Sequence, residues 1–152
     1  KYYESISKEA AESFKSMLVF DSVIYNEDRH FGNFGILRDN KSGEVIGMAP
    51  IFDNGLSLFN YGMPEDFKNL SVYAKTRTNP YGTSYENICK EVMGTKQRNQ
   101  LRKLIGFKFM RHPSINLPEE RLLAIEKQID IRVRELLSLP RTKTKIQDEP
   151  ER

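Results

Sequence analysis

Residues 25–55 read YNEDRHFGNFGILRDNKSGEVIGMAPIFDNG, and the fold turns on how this stretch is parsed. Its opening crowds Glu27, Asp28, Arg29, His30 and Asn33 together, and an apolar run follows at once. Ile36 and Leu37 on one side and Val45 and Ile46 on the other have strand chemistry. Asp39-Asn40-Lys41-Ser42-Gly43 between them has turn chemistry. The stretch therefore predicts two short strands folded back on each other. Such a hairpin returns the chain to near where it began. Asp53, at the end of the second strand, is then expected beside the loop that carries Asp28 and Asn33. Asn54-Gly55 supplies a sharp bend directly after it.

Working outward, residues 5–26 (SISKEAAESFKSMLVFDSVIYN) predict a helix that delivers the chain to this loop. Ser5 or Ser7 can cap it, Glu9 suits its first turn, and Ala10, Phe14, Met17, Leu18, Ile24 and Tyr25 recur at three- and four-residue spacing. Residues 60–83 show little periodicity and are expected to be irregular. Residues 84–93 predict a short helix. Residues 95–106 predict another, with Thr95 as cap and Gly106 as stop. Residues 118–139 predict the longest, with Pro118 in its first turn and a stripe of Leu122, Ile125, Ile129, Val133, Leu136 and Leu137. Asp130 and Arg134 can pair one turn apart.

The chain has 152 residues, 38% hydrophobic and 30% charged, which suits one globular domain, mainly α with a small β component (α+β). The domain is expected over 1–139, with a flexible polar tail at 140–152. The net charge of +3 permits an anionic partner without requiring one. The single cysteine, Cys89, excludes an internal disulfide framework, suits a packed helix face and fits a reducing, cytoplasmic location. No apolar run approaches the roughly 20 residues that span a bilayer, so no membrane partner is expected. Lys1 followed at once by helical sequence reads as a piece of a longer protein.

Two carboxylates and an amide oxygen gathered at one end of a hairpin suit Mg2+, which takes hard oxygen ligands and leaves positions for water and phosphate. Phosphoryl transfer needs such a set together with a carboxylate that accepts the proton of the attacking hydroxyl. Kinase catalytic loops provide both with Asp-x-x-x-x-Asn and a second Asp after a hairpin. Asp28 to Asn33 has that spacing, and Asp53 stands in the second place. Residues 20–39 and 48–59, with Asn26-x-Asp28-x-His30-x-x-Asn33 and Ala49-Pro50-x-Phe52-Asp53, resemble the catalytic lobe of HipA-like serine/threonine kinases. The match covers about residues 14–59. Phosphoinositide kinases share the first motif and differ at the second.

The resemblance implies a protein-kinase-like C-lobe, a helical body whose hairpin carries the catalytic and metal loops. It implies Asp28 as catalytic base, with His30 ordering the loop or touching phosphate. Asn33 and Asp53 would be the metal ligands, Asp53 bridging nucleotide phosphates. Arg29 is placed with the nucleotide-binding residues, loop stabilisation being its other reading. ATP and Mg2+ are the implied cofactors. A Ser/Thr protein substrate, the N-lobe of the parent chain and a DNA-binding antitoxin are the implied partners. The stretch ahead of Asp28 holds no glycine-rich phosphate loop and no strand-borne lysine, so the isolated piece is expected to be inactive. Competing readings are a metal-dependent nuclease or hydrolase built on Asp28, His30, Asn33 and Asp53, a pseudokinase scaffold, and a nucleic-acid-binding module. The last rests on the basic run at 96–103 and the Gly-x-x-Gly of residues 32–35. His112 reads as structural.

Overall fold

A computed structural model describes residues 6–141 of the chain. All but the first two residues of the expected tail at 140–152 lie outside the described residues. The order of elements is α1 (Lys8–Ile24), β1 (Ile36–Arg38), β2 (Val45–Met48), α2 (Pro64–Lys68), α3 (Leu70–Ala74), α4 (Tyr85–Val92), α5 (Thr95–Arg102) and α6 (Glu119–Ser138).

Helix α1 starts at Ser7, whose hydroxyl accepts the Ala10 N–H at 2.9 Å and so satisfies one of the donors a helix start leaves open. It ends at Tyr25, which adopts the left-handed conformation (φ 53°) that breaks the helical path. The apolar faces of α1 and α6 make the centre of the core. Val19, Val23, Ile24 and Tyr25 lie in one cluster with Ile125, Ile129, Val133 and Leu136. Cys89, Met93 and Leu101 bring α4 and α5 into the same cluster. Cys89 is wholly buried, and that burial pushes its thiol pKa up, so it is packing and not a reactive group. Asp130 and Arg134 pair at 2.7 Å as their spacing predicted.

The hairpin is present. Strands β1 and β2 pair antiparallel, with Ile36 opposite Met48 and Leu37 opposite Gly47, and a bulge falls between Leu37 and Arg38. Its turn is fixed by the Asp39 carboxylate, which accepts the N–H groups of Lys41 and Ser42 at 2.9 and 2.7 Å. Gly43 closes it at φ 72°, where a side chain would be strained.

Three local expectations are corrected. Residues 60–83 are not wholly irregular, because α2 and α3 lie within them. Five-residue helices are too short to display a period. Pro64 opens α2, the Asp66 carboxylate accepts the Met63 N–H at 2.8 Å, and Leu70 and Ala74 bury one face of α3. Gly94, not Thr95, is the cap of α5; Gln97 Oε1 accepts the Gly94 N–H at 3.0 Å, and Thr95 is already helical. Pro118 is the cap of α6 and not part of its first turn.

Candidate active site

The site is built around a charge on the wrong face of a helix. Asp21 lies on the buried side of α1 and is 4% exposed. A carboxylate in that position needs partners. Arg29, 0% exposed, supplies them in fork geometry, with Nε on Oδ2 at 2.9 Å and Nη2 on Oδ1 at 3.0 Å. The rest of the guanidinium ties two loops together. Nη1 donates to the carbonyl of Asn33 at 2.7 Å and to that of Phe52 at 2.6 Å. Nη2 also donates to Asn54 Oδ1 at 2.5 Å. All five N–H donors of Arg29 are thereby used, on Asp21, on the Asn33 end of the first loop, and on the two residues that bracket Asp53. The expectation that Arg29 binds nucleotide is corrected: it is a buried clasp with no donor left to offer. Loop stabilisation, its other reading, is what the contacts describe.

Asn26 extends the clasp. Its Nδ2 donates to Asp21 Oδ1 at 3.1 Å, and its Oδ1 accepts the Asp28 N–H at 3.0 Å. Asn33 is 6% exposed, and its Nδ2 donates to the Asp28 carbonyl at 2.8 Å, which joins the two ends of the loop. That bond leaves Asn33 Oδ1 as the free acceptor of the amide. Two tyrosines brace the loop from outside. Tyr81 donates to the Arg29 carbonyl at 2.6 Å, and the Tyr85 hydroxyl lies 2.8 Å from the carbonyls of both Asn26 and Thr78. Glu27 pairs with Arg77 at 3.0 Å, and its N–H donates to Leu56 O at 3.0 Å.

Against this locked frame, the groups expected to do chemistry are open. The Asp28 and His30 side chains are 41% and 54% exposed, with Asp28 Oδ1 4.0 Å from His30 Nε2. His30 Nδ1 accepts the Gly32 N–H at 3.0 Å, so the neutral ring carries its proton on Nε2, the side of Asp28. A Cβ at Gly32 would lie 2.9 Å from the His30 ring, which is why glycine suits that position. Asp53 is exposed, takes the left-handed conformation (φ 51°), and has no carboxylate partner among the described residues. A non-glycine residue held there stores roughly 1–3 kcal/mol of strain. An unpaired carboxylate and an amide oxygen thus stand on two loops tied to one guanidinium, and hard oxygens are the ligand type that Mg2+ takes.

The competing readings fare differently. Among the described residues, no three His, Cys, Asp or Glu side chains gather into a possible metal cluster, which leaves the hydrolase reading without a denser ligand set. In the basic run, Gln97 and Arg98 are buried, and Arg98 binds the carbonyls of Leu137 and Leu139 at 2.9 and 2.8 Å, so it caps α6 and offers little to a nucleic acid. His112 Nδ1 accepts the N–H groups of Ser114 and Ile115, both at 3.2 Å, and holds its own loop.

Sequence reasoning missed Asp21, Asn54, Tyr81 and Tyr85. Asp21 had a signal, since it falls one turn after Met17 and Leu18 on the apolar stripe. The tyrosines had none, because they reach across 52 and 59 residues.

No family model matches the chain, and no curated protein sequence does. The fold is that of a kinase: the crystal structure of the Helicobacter pylori proinflammatory kinase CtkA is similar, with a TM-score of 0.54 and 19% sequence identity. The match covers 84% of this chain and 55% of that one, so the chain spans about half of that kinase's length. The mainly helical body of this chain, with its two-stranded antiparallel sheet, is compatible with a kinase-like C-lobe. No helix of the described residues is long and apolar enough to cross a membrane.

Proposed function

We propose that the chain is the catalytic lobe of a HipA-like protein kinase that moves the γ-phosphate of ATP to a serine or threonine hydroxyl. The observation that carries this reading is the Arg29 clasp. One buried guanidinium fixes the Asp28–Asn33 loop against the Asp53 loop, while the carboxylates of Asp28 and Asp53 stay open. Two loops held in register by one arginine are what positioning catalysis requires.

In this reading Asp28 accepts the proton of the substrate hydroxyl as its oxygen attacks phosphorus. His30, locked through Gly32, orders the loop around that carboxylate. Asn33 Oδ1 and Asp53 would hold Mg2+, which when bound would neutralise charge on the phosphate oxygens. The nucleotide's other contacts fall to an N-lobe of the parent protein. A DNA-binding antitoxin partner and a cytoplasmic setting belong to the same proposal.

The test is γ-phosphate transfer from labelled Mg-ATP by the parent protein. Wild type should label serine or threonine. Asp28→Asn should lower kcat by about 10²- to 10⁴-fold, the usual worth of a positioned base. Undiminished transfer by that variant removes Asp28 from the role. The isolated chain should transfer nothing measurable, and robust ATP turnover by it alone would overturn the two-lobe reading.

A further inference from the structure

A cavity of about 680 Å³ lies away from Asp28 and Asp53, neither of which lines it. It is lined by residues of α3, of the segment 75–86 and of the C-terminal part of α6. Ala74, Ile131 and Leu139 give it an apolar wall, and Tyr25 and Tyr85 also line it. Arg132 lines it as well and is only 3% exposed. Its Nε donates to the Ser22 carbonyl at 3.0 Å, and Nη1 is taken by Glu86 and Glu135. Nη2 is buried and has no partner. The guanidinium lies over the Tyr25 ring at 4.9 Å and near the Tyr85 ring at 5.9 Å, packing that holds it in place.

A buried guanidinium N–H with nothing to donate to is rare in a folded chain and calls for an acceptor. Of the other cations on the lining, Arg77 is paired with Glu27, whereas the Lys75 ammonium has no ion pair among the described residues. The two lining carboxylates, Glu86 and Glu135, are turned onto Arg132 Nη1. What remains without a partner is one buried guanidinium nitrogen and one exposed ammonium, beside an apolar wall.

We propose that this cavity binds a small organic anion. A carboxylate or phosphate oxygen accepts from Arg132 Nη2 and Lys75, and the apolar body of the ligand lies against Ile131 and Leu139. Small-molecule pockets run about 300–1,000 Å³, which the cavity matches, and a bare inorganic ion would leave the apolar wall unused. The inference stands apart from the kinase reading.

The test is a heat-shift titration of the chain with phenyl phosphate, phenylacetate and the uncharged phenylacetamide. At least one anion should raise Tm saturably, and the amide should not. Which anion acts identifies the head group. Lys75→Glu and Ser138→Trp change exposed lining residues and leave the core intact, and each should weaken the response about tenfold or more. Asp53→Asn should leave it unchanged. Overturning results are no saturable rise with either anion, an equal rise with the amide, an undiminished response in both lining variants, or loss of the response in Asp53→Asn.

Discussion

Asp21 and Asp28 stand seven residues apart and are given opposite tasks by their surroundings. Asp21 is buried and compensates Arg29, while Asp28 is open to solvent. Asp21→Asn should therefore cost about 3–5 kcal/mol in urea unfolding, because it strands a buried charge. Asp28→Asn should stay within about 0.5 kcal/mol of wild type in the same measurement, as exposed substitutions do. A large loss for Asp28→Asn would mean that its carboxylate is structural. Asp53 makes a third case, since its left-handed backbone is a strain that glycine would relieve. Asp53→Gly should raise stability by about 0.5–1 kcal/mol in thermal melts, and on the proposed function it should abolish the rise in Tm that Mg2+ is expected to give the wild type. A lower Tm would count against strain at that position. The approach of the Asp28–Asn33 loop to the Asp53 loop was legible because a hairpin's turn chemistry is written in the chain. Loop stabilisation by Arg29 was one of its two readings, but its partners were not legible, because they reach 25 residues away and only folding shows how deeply it is enclosed.

At the scale of elements, the long helices and the hairpin were legible from period and turn chemistry, and the five-residue helices were not. Another feature invisible to periodicity is the way α6 anchors the segment before it. Glu126 is 1% exposed and accepts from Arg111, from Lys108 Nζ at 2.9 Å and from the Phe109 N–H at 2.9 Å. The Arg111 guanidinium, aided by Lys108 and Phe109, holds its carboxyl down at about 2 despite burial. The folded value lies below the unfolded value of roughly 4.3, so this stabilisation is complete above that pH. It is lost as pH falls from there through about 2. Chemical unfolding across that window should show stability falling in wild type and a flatter profile in Glu126→Gln. At neutral pH the variant should be less stable by about 1–3 kcal/mol. Parallel profiles would remove Glu126 as the acid-sensitive anchor.

At the scale of the molecule, one core cluster joins residues of α1, α3, α4, α5 and α6, so the described residues should unfold in one cooperative transition. Urea curves followed by far-ultraviolet circular dichroism and by tyrosine fluorescence should coincide, and separated midpoints would reveal independent parts. The mainly helical class with one hairpin could be read beforehand because the longer helices bury faces that their own residues announce and the hairpin carries its own turn chemistry. How the elements are arranged could not, since long-range pairings such as Gln97 with Glu12 leave no local trace. The enclosure of Arg29 has a last consequence, for behaviour in concentrated electrolyte. Mobile ions weaken attractions at the surface within a Debye length of about 10 Å at 0.1 M, but they cannot enter between Arg29 and Asp21. Molar sodium chloride should thus loosen the proposed grip on a triphosphate while the spacing of the two loops stays as it is, so that affinity fades and architecture does not.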